Sequence, residues 1–255
     1  MTEKRTLVVT GGARGIGRAC AEYALTKGYR VAIVDLLYEL ALEWTREYED
    51  VLCVKADLTD KESVNSAVKT IVSHFGRIDA LYNIAGWMAP GRPPIEDFPV
   101  EHWTKMMNIN VTGTFLASQA VGKEMIREGH GGAIVSIGSI SAVEPLPGGG
   151  AYCPSKAAVQ MLSRQLALEW GQYGIRSNVV NPGQILTDMN RSFFQNPEIA
   201  AARKEATALK RIGTVEDVAK VCFFLISDES NYITGESILV DGGITLGALK
   251  VLGRS

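Results

Sequence analysis

The chain has 255 residues, of which 46% are hydrophobic and 21% charged, and its formal net charge is -2 at pH 7. This composition is typical of a soluble globular protein, and the length suffices for one large α/β domain or two small ones. The nearly balanced charge gives no reason to expect nucleic acid or an anionic membrane as a partner.

The cysteines, the histidines and the N-terminus narrow the class of protein further. The four cysteines and three histidines lie apart, without metal-binding spacing, so we expect reduced thiols and no metal site. The first apolar run is too short for a signal peptide, and no later run reaches membrane-spanning length. We therefore predict a cytoplasmic protein.

Short β-branched runs alternate along the chain with longer helical patterns. Strands are predicted at 6–10, 30–35, 51–56, 77–86, 132–139, 175–182 and 237–243, and helices at 15–27, 38–48, 60–75, 100–128 and 152–172. Continuous apolar strands with intervening helices indicate a parallel sheet covered on both faces. We therefore predict one domain over 1–255, with a doubly wound, Rossmann-like α/β fold. Proline and glycine make 87–99 irregular, and 184–212 reads as a partly helical lid.

The stretch "TGGARGIG" (10–17) follows the first predicted strand and leads into the first helix. Gly11, Gly15 and Gly17 lie where a strand turns into a helix, whose free N–H groups can hold a pyrophosphate. The spacing differs from G-x-G-x-x-G, and a plain tight turn is the alternative interpretation. The position after the first strand of a βαβ unit favours a dinucleotide-binding turn.

Asp35 ends the second predicted strand and indicates which dinucleotide is used. A carboxylate there can accept hydrogen bonds from the adenosine ribose and would repel a 2′-phosphate. A helix cap is the alternative role. Arg14 could favour NADP, but Leu36 and Leu37 follow Asp35 in place of a cation, so we predict NAD.

Tyr152 and Lys156 lie four residues apart at the predicted start of a helix. One helical turn separates them, so both side chains project from the same face. A lysine ammonium beside a phenol favours phenolate, and a cationic oxidised nicotinamide adds to this effect. Together the two cations are predicted to lower the pKa of Tyr152 so that it can act as a base near neutral pH. Taken singly, a packing tyrosine and a solvated lysine are the plainer alternatives.

Eight motifs in order make the chain resemble the short-chain dehydrogenase/reductase family over nearly its whole length. They are "TGGARGIG" (10–17), "ADL" (56–58), "NIAG" (83–86), "NIN" (108–110), "IGS" (137–139), "YCPSK" (152–156), "NPG" (181–183) and "DGG" (241–243). The resemblance implies a seven-stranded parallel sheet and a homodimer or homotetramer. The chain departs from the family pattern at Tyr82 and Ser136, where asparagine is usual, and at Gly138, where serine is common.

The resemblance implies a catalytic set of Asn110, Ser139, Tyr152 and Lys156. Tyr152 would exchange the substrate proton, Ser139 would position the substrate oxygen, and Asn110 would support a water chain through Lys156. The implied cofactor contacts are Gly11, Arg14, Gly15, Ile16, Gly17, Asp35, Asp57, Leu58, Asn83, Ala85, Gly86, Tyr152, Lys156, Pro182, Gly183, Ile185 and Thr187. Among them, Asp57 would bind the adenine amino group and Asn83 would lie near the ribose.

An apolar wall beside this set predicts a small secondary alcohol or diol, or the matching ketone, as substrate. Its members are Trp87, Met88, Pro145, Leu146, Met189, Phe193 and Phe194, with Arg92 and Glu144 as nearby charges. Core or subunit contacts are the alternative role of these apolar side chains. Glu144 is a candidate partner for a second hydroxyl.

Three other functions are compatible with parts of this pattern. An NADPH-dependent 3-oxoacyl-thioester reductase would share the fold and the Tyr152–Lys156 pair, but Asp35 disfavours NADPH. A sugar-nucleotide epimerase or dehydratase usually needs a longer chain. A non-catalytic dinucleotide-binding redox sensor would have no use for a matched acid–base pair.

Overall fold

The β-branched runs form seven strands of one parallel sheet in the computed structural model, which describes residues 4–187 and 195–247. The strands are β1 (Thr6–Thr10), β2 (Arg30–Asp35), β3 (Val51–Lys55), β4 (Ala80–Asn83), β5 (Gly132–Ile137), β6 (Ile175–Pro182) and β7 (Ser237–Val240). Their order in the sheet is β3-β2-β1-β4-β5-β6-β7, and every neighbouring pair is parallel. The predicted doubly wound, Rossmann-like fold is confirmed.

Eight α-helices within the described residues connect or flank these strands. They are α1 (Gly15–Thr26), α2 (Tyr38–Thr45), α3 (Lys61–Phe75), α4 (Val100–Met107), α5 (Gly113–Glu128), α6 (Tyr152–Trp170), α7 (Pro197–Ala206) and α8 (Val215–Ile226). The helix predicted over 100–128 is interrupted by a π-helical turn, Asn108–Thr112. In the same described part of the chain, no helix is long and apolar enough to cross a membrane.

Helix α8 lies in a stretch for which no element was predicted. The run "VAKVCFFLI" (218–226) is almost uninterrupted in its apolar residues, so it lacks the clear 3.6-residue alternation of a surface helix. A capping box of Thr214 and Asp217 starts this helix. The parallel connection from β6 to β7 requires a crossover of this kind.

The sheet is buried on both faces, as the continuous apolar strands predict. Leu7 and Val9 of β1 face a core shared with α1 and α8, whereas Val8 faces a second core shared with α3 and α5. The order of strands reverses between β1 and β4, which is where open α/β sheets bind ligands, at the carboxyl ends of the strands. The glycine turn at 10–17 and the segment Ile84–Gly86 both leave the sheet at this point.

The side chain of Trp170, at the end of α6, packs against α5 at Gly122. A Cβ atom built on Gly122 would overlap the indole ring of Trp170 at the end of α6. We expect Gly122→Ala to lower the free energy of unfolding by about 1–3 kcal/mol, the usual range for overpacking a core. Chemical denaturation measures this change.

Gly171, the next residue after Trp170, provides the matched control. A Cβ atom there would meet no atom within 4 Å, and its φ of -56° suits any residue. Gly171→Ala should therefore leave stability unchanged or slightly raised. Equal losses in the two variants would contradict this account of the helix contact.

Candidate active site

A cavity of about 1440 Å³ opens at the carboxyl ends of β1, β4, β5 and β6. The predicted residues that line it are Gly11, Arg14, Gly15, Ile16, Gly17, Asp35, Asp57, Leu58, Ala85, Gly86, Tyr152, Lys156, Pro182, Gly183, Ile185 and Thr187. The remaining predicted residues, Asn83, Asn110 and Ser139, are buried and do not line this cavity. The fold thus brings most of the predicted set into one space.

The glycine turn is tightly packed except on the side of the cavity. Gly11 and Gly15 have φ values of +72° and +57°, which favour glycine. A Cβ atom on Gly11 would lie 2.7 Å from the Ala85 backbone, and one on Gly17 would overlap the Gly11 carbonyl oxygen. Gly15 opens into free space, and the N-terminus of α1 has no side-chain cap. Such an uncapped helix start suits a phosphate group.

The Asp35 carboxylate is fixed in the cavity wall by two backbone N–H groups. Ala13 donates to Oδ2 and Leu37 donates to Oδ1, each at 2.9 Å. Leu36 and Leu37 beside it are exposed and apolar, whereas Arg14 lines the same cavity. Asp35 is therefore a rigid acceptor with a negative charge, not the cap of α2, which begins at Tyr38.

Asp57 and Asn83 differ in how well they fit the cofactor roles that the family implies. Asp57 lines the cavity and accepts hydrogen bonds from Thr59 N and Oγ1, at 2.8 and 2.7 Å. Asn83 ends β4, and its Nδ2 donates to Ser118 Oγ at 2.9 Å and Ser136 Oγ at 3.3 Å. The Asn83 side chain therefore links β4, β5 and α5 inside the protein, and the place of this residue near the ribose stays a prediction.

Tyr152 and Lys156 lie one above the other on α6, as their spacing predicts. Lys156 Nζ is 5.9 Å from the centroid of the Tyr152 ring and donates to the carbonyl oxygen of Ile137 at 2.8 Å. Lys156 is only 6% exposed. This burial lowers the pKa of Lys156 to about 8, because an ammonium group loses its hydration there.

In the protein alone the pKa of Tyr152 is raised, whereas the predicted lowering depends on the nicotinamide cation together with Lys156. Burial raises the pKa of the phenol, and a hydrogen bond with the Ser139 hydroxyl lowers it by less. The physical reason is that burial disfavours a phenolate just as it disfavours the nearby ammonium. In the protein alone, Tyr152 is therefore a neutral phenol at pH 7, beside a lysine that is mostly protonated.

Hydrogen bonds to neighbouring segments hold the side chains of Ser139 and Asn110 in place. Ser139 follows β5 and its Oγ accepts a hydrogen bond from Ser141 N at 3.0 Å. Asn110 lies in the π-helical turn, accepts from Trp87 N at 2.8 Å and donates to Trp87 O at 3.1 Å. Its Nδ2 also donates to Ser155 Oγ at 3.1 Å. Asn110 thus joins the Trp87 segment to the helix that carries Tyr152.

The substrate end of the cavity contains part of the predicted wall. Trp87, Met88, Leu146, Arg92 and Glu144 line it, whereas Pro145 does not. The other predicted members, Met189, Phe193 and Phe194, lie outside the described residues. Residues that line this end without having been predicted include Lys105, Ile140, Ser141, Gln184 and Arg203. Among the described residues, no three possible metal ligands lie together.

A family model and individual proteins match this chain over most of its length. The model described as enoyl-(acyl carrier protein) reductase matches residues 11–245. An NAD-dependent glycerol dehydrogenase from Listeria innocua is 36% identical over 243 residues, covering 95% of this chain and 94% of that protein. A D-threitol dehydrogenase from Mycolicibacterium smegmatis is 37% identical over 246 residues, covering 95% and 93%.

A solved structure agrees with these sequence matches. The short-chain type dehydrogenase/reductase from Mycobacterium ulcerans has a TM-score of 0.91 and 32% identity, and the match covers 99% of this chain and 96% of that one. The fold, the cavity and these matches confirm the resemblance that the eight motifs predict. The chain belongs to the short-chain dehydrogenase/reductase family.

Proposed function

We propose that this protein is an NAD-dependent dehydrogenase that interconverts a secondary alcohol, most naturally within a diol or polyol, and the corresponding ketone. The observation that carries the proposal is the stacked Tyr152–Lys156 pair in the same cavity as the glycine turn and Asp35. The predicted reaction class and cofactor are confirmed, since close relatives include an NAD-dependent glycerol dehydrogenase.

The cavity has the features that a bound NAD molecule needs. The uncapped start of α1 at Gly15 would hold the pyrophosphate, and Asp35 would accept hydrogen bonds from the adenosine ribose. Asp57 would meet the adenine, and Ile185 and Thr187 would meet the nicotinamide carboxamide. When bound, NAD supplies the hydride acceptor.

Tyr152 exchanges the proton of the substrate hydroxyl. In ketone reduction the neutral phenol donates its proton to the carbonyl oxygen, and in alcohol oxidation the phenolate accepts a proton from the hydroxyl group. The Lys156 ammonium, mostly protonated below its pKa of about 8, compensates the phenolate charge. Ser139, whose hydroxyl lowers the pKa of the phenol, orients the substrate oxygen. Asn110 keeps this arrangement in place and supports a water chain through Lys156.

Glu144 provides a place for a second hydroxyl group. Glu144 is exposed, lines the cavity and makes no ion pair among the described residues. A carboxylate accepts hydrogen bonds from hydroxyl groups, and the two relatives named above act on glycerol and D-threitol. A polyol is therefore the substrate class that the site favours.

The competing functions fit the same cavity less well. The matching family model carries the name of a reductase of acyl-carrier thioesters, but the fixed Asp35 carboxylate opposes the 2′-phosphate of NADPH. A dinucleotide-binding redox sensor would not need the buried Lys156 ammonium, because burial of a charge without a function is unfavourable.

The protein is further proposed to act in the cytoplasm as a homodimer or homotetramer of one-domain chains. Met161 and Leu168 lie seven residues apart on one side of α6 and are 61% and 80% exposed. Exposed apolar side chains of this kind favour contact with another subunit. All four cysteines are free thiols, as a reducing compartment favours.

Tyr152→Phe tests the proton-transfer role directly. We expect kcat to fall about 10²- to 10⁴-fold, because the variant retains the ring but has no exchangeable proton. A panel of secondary alcohols, polyols and ketones, followed by nicotinamide absorbance with NAD and NADP in parallel, first identifies a substrate. NAD binding should persist, and Tyr173→Phe, at an exposed phenol beyond α6, should behave like the unaltered protein. Full activity of Tyr152→Phe would refute the proposal.

Asp35→Asn tests cofactor preference with little change in shape. The side-chain amide has one acceptor oxygen and no charge, so it binds the ribose hydroxyls less well and no longer repels a 2′-phosphate. We expect the ratio of kcat/KM with NAD to kcat/KM with NADP to fall about 10- to 100-fold, the range for loss of a charged hydrogen bond. An unchanged ratio would assign NAD preference to another residue.

Glu144→Ala tests the place of the second hydroxyl. We expect kcat/KM to fall about tenfold or more for diols and to stay nearly constant for mono-alcohols, because only a diol loses a hydrogen bond to the carboxylate. Both substrate types are assayed with the same enzyme preparation. Equal losses for both would remove this role from Glu144.

A further inference from the structure

The backbone around Ser139 is held from neighbouring elements at three successive residues. Ile137 O accepts from Lys156 Nζ at 2.8 Å, Gly138 N donates to Val180 O at 2.8 Å, and Ser139 N donates to Asn181 Oδ1 at 3.0 Å. The β5–β6 pairing ends where Ile137 pairs with Val180. Ser139 lies beyond that pairing, so its N–H group donates to the Asn181 side chain in place of a strand carbonyl.

Asn181 is in turn held by the helix that carries Tyr152. Its side chain is buried, at 1% exposure, and Oδ1 accepts a second hydrogen bond from Gln160 Nε2 at 3.0 Å. Gln160 lies one helical turn beyond Lys156 and two turns beyond Tyr152 on α6. One face of this helix therefore places the phenol, the ammonium and the amide that fixes Asn181.

Gly138 leaves the space that the Asn181 amide occupies. A Cβ atom on Gly138 would overlap Asn181 Oδ1 and lie 2.9 Å from Val179 Cγ1. This is the position at which the chain has glycine where serine is common in its family. Any side chain there would displace the amide that accepts the Ser139 N–H.

We propose that Asn181 is a positioning residue for Ser139. Gln160 holds the Asn181 side chain in place, and Gly138 leaves room for it. The proposal rests on the proposed function of Ser139 in orienting the substrate oxygen. Without Asn181, the Ser139 N–H is buried with no acceptor, and the turn at 138–141 shifts to find one. Such a shift moves the Ser139 hydroxyl relative to the Tyr152 phenol. Asn181 thereby acts on the reaction without touching the substrate.

The test compares Asn181→Ala, Gln160→Leu and the double variant, with a substrate identified by the alcohol and ketone panel. We expect Asn181→Ala to lower kcat about 10- to 100-fold, as misplacement of a catalytic group by a fraction of an ångström to 1 Å does. Gln160→Leu should cause a smaller loss. The double variant should equal Asn181→Ala, because the two side chains act through one acceptor atom. Additive losses would overturn the proposed linkage.

The pH profile separates positioning from a general loss of stability. The hydrogen bond with Ser139 lowers the pKa of the Tyr152 phenol, so a displaced Ser139 raises that pKa. The acid limb of kcat/KM for alcohol oxidation should therefore move to higher pH in Asn181→Ala and in Gln160→Leu. An unmoved limb in Gln160→Leu, together with an unchanged kcat, would overturn the proposal even if Asn181→Ala failed to fold.

Two further variants distinguish this proposal from the proposed function. Asn178→Ala is the matched control, because Asn178 is equally buried on β6 and, within the described part of the chain, its side chain donates to Ile233 O and accepts from Glu236 N without contacting Ser139. It should lower stability while kcat per folded molecule stays constant, and a loss of kcat equal to that of Asn181→Ala would overturn the positioning role.

If Ser139→Ala keeps full kcat, the proposed function of Ser139 is wrong. If Ser139→Ala loses activity and Asn181→Ala keeps it, only the positioning role is wrong.

Discussion

A buried ammonium group is the constraint around which this site is built. Lys156 is almost fully enclosed, and its pKa of about 8 corresponds to roughly 3 kcal/mol of unfavourable burial relative to an exposed lysine. The unfolded chain binds more protons than the folded one between pH 8 and 10.5, the ordinary pKa of lysine, so this group alone makes the fold more stable as the pH rises through that window. At neutral pH the fold tolerates this unfavourable term to keep a cation beneath the phenol.

The hydrogen bonds that hold the site in place run mainly to the main chain. Lys156 donates to the Ile137 carbonyl, Asn181 accepts from Ser139 N, and Asn110 bonds both polar groups of the Trp87 backbone. Main-chain groups are fixed by the sheet and the helices, so side chains that bond to them are held rigidly as well. The strand order explains why these segments meet, since β4, β5 and β6 end side by side.

Local pattern predicted the strands and the first helices, because each depends on neighbours in sequence, whereas most of the cavity residues were implied by the resemblance to the family. The glycine turn and the Tyr152–Lys156 spacing are also local patterns. Helix α8 was not predicted because its apolar residues cover nearly every side. The direction of Asn83 and the raised pKa of Tyr152 depend on depth within the fold, which no local pattern encodes. The Gly138–Asn181 packing joins two strands and required the three-dimensional arrangement.

The two hydrogen bonds from the Asn110 side chain to the Trp87 backbone do not depend on which side chain residue 87 carries. Both hydrogen bonds engage the peptide groups of residue 87 and leave the indole uninvolved, while Lys105 Nζ lies 4.6 Å from the centroid of the indole ring. An exchange of the side chain at this position would reshape the chamber wall while the polypeptide course stayed the same. Substitutions at residue 87 during evolution could therefore change the substrate specificity while the residues that exchange the proton stay in place.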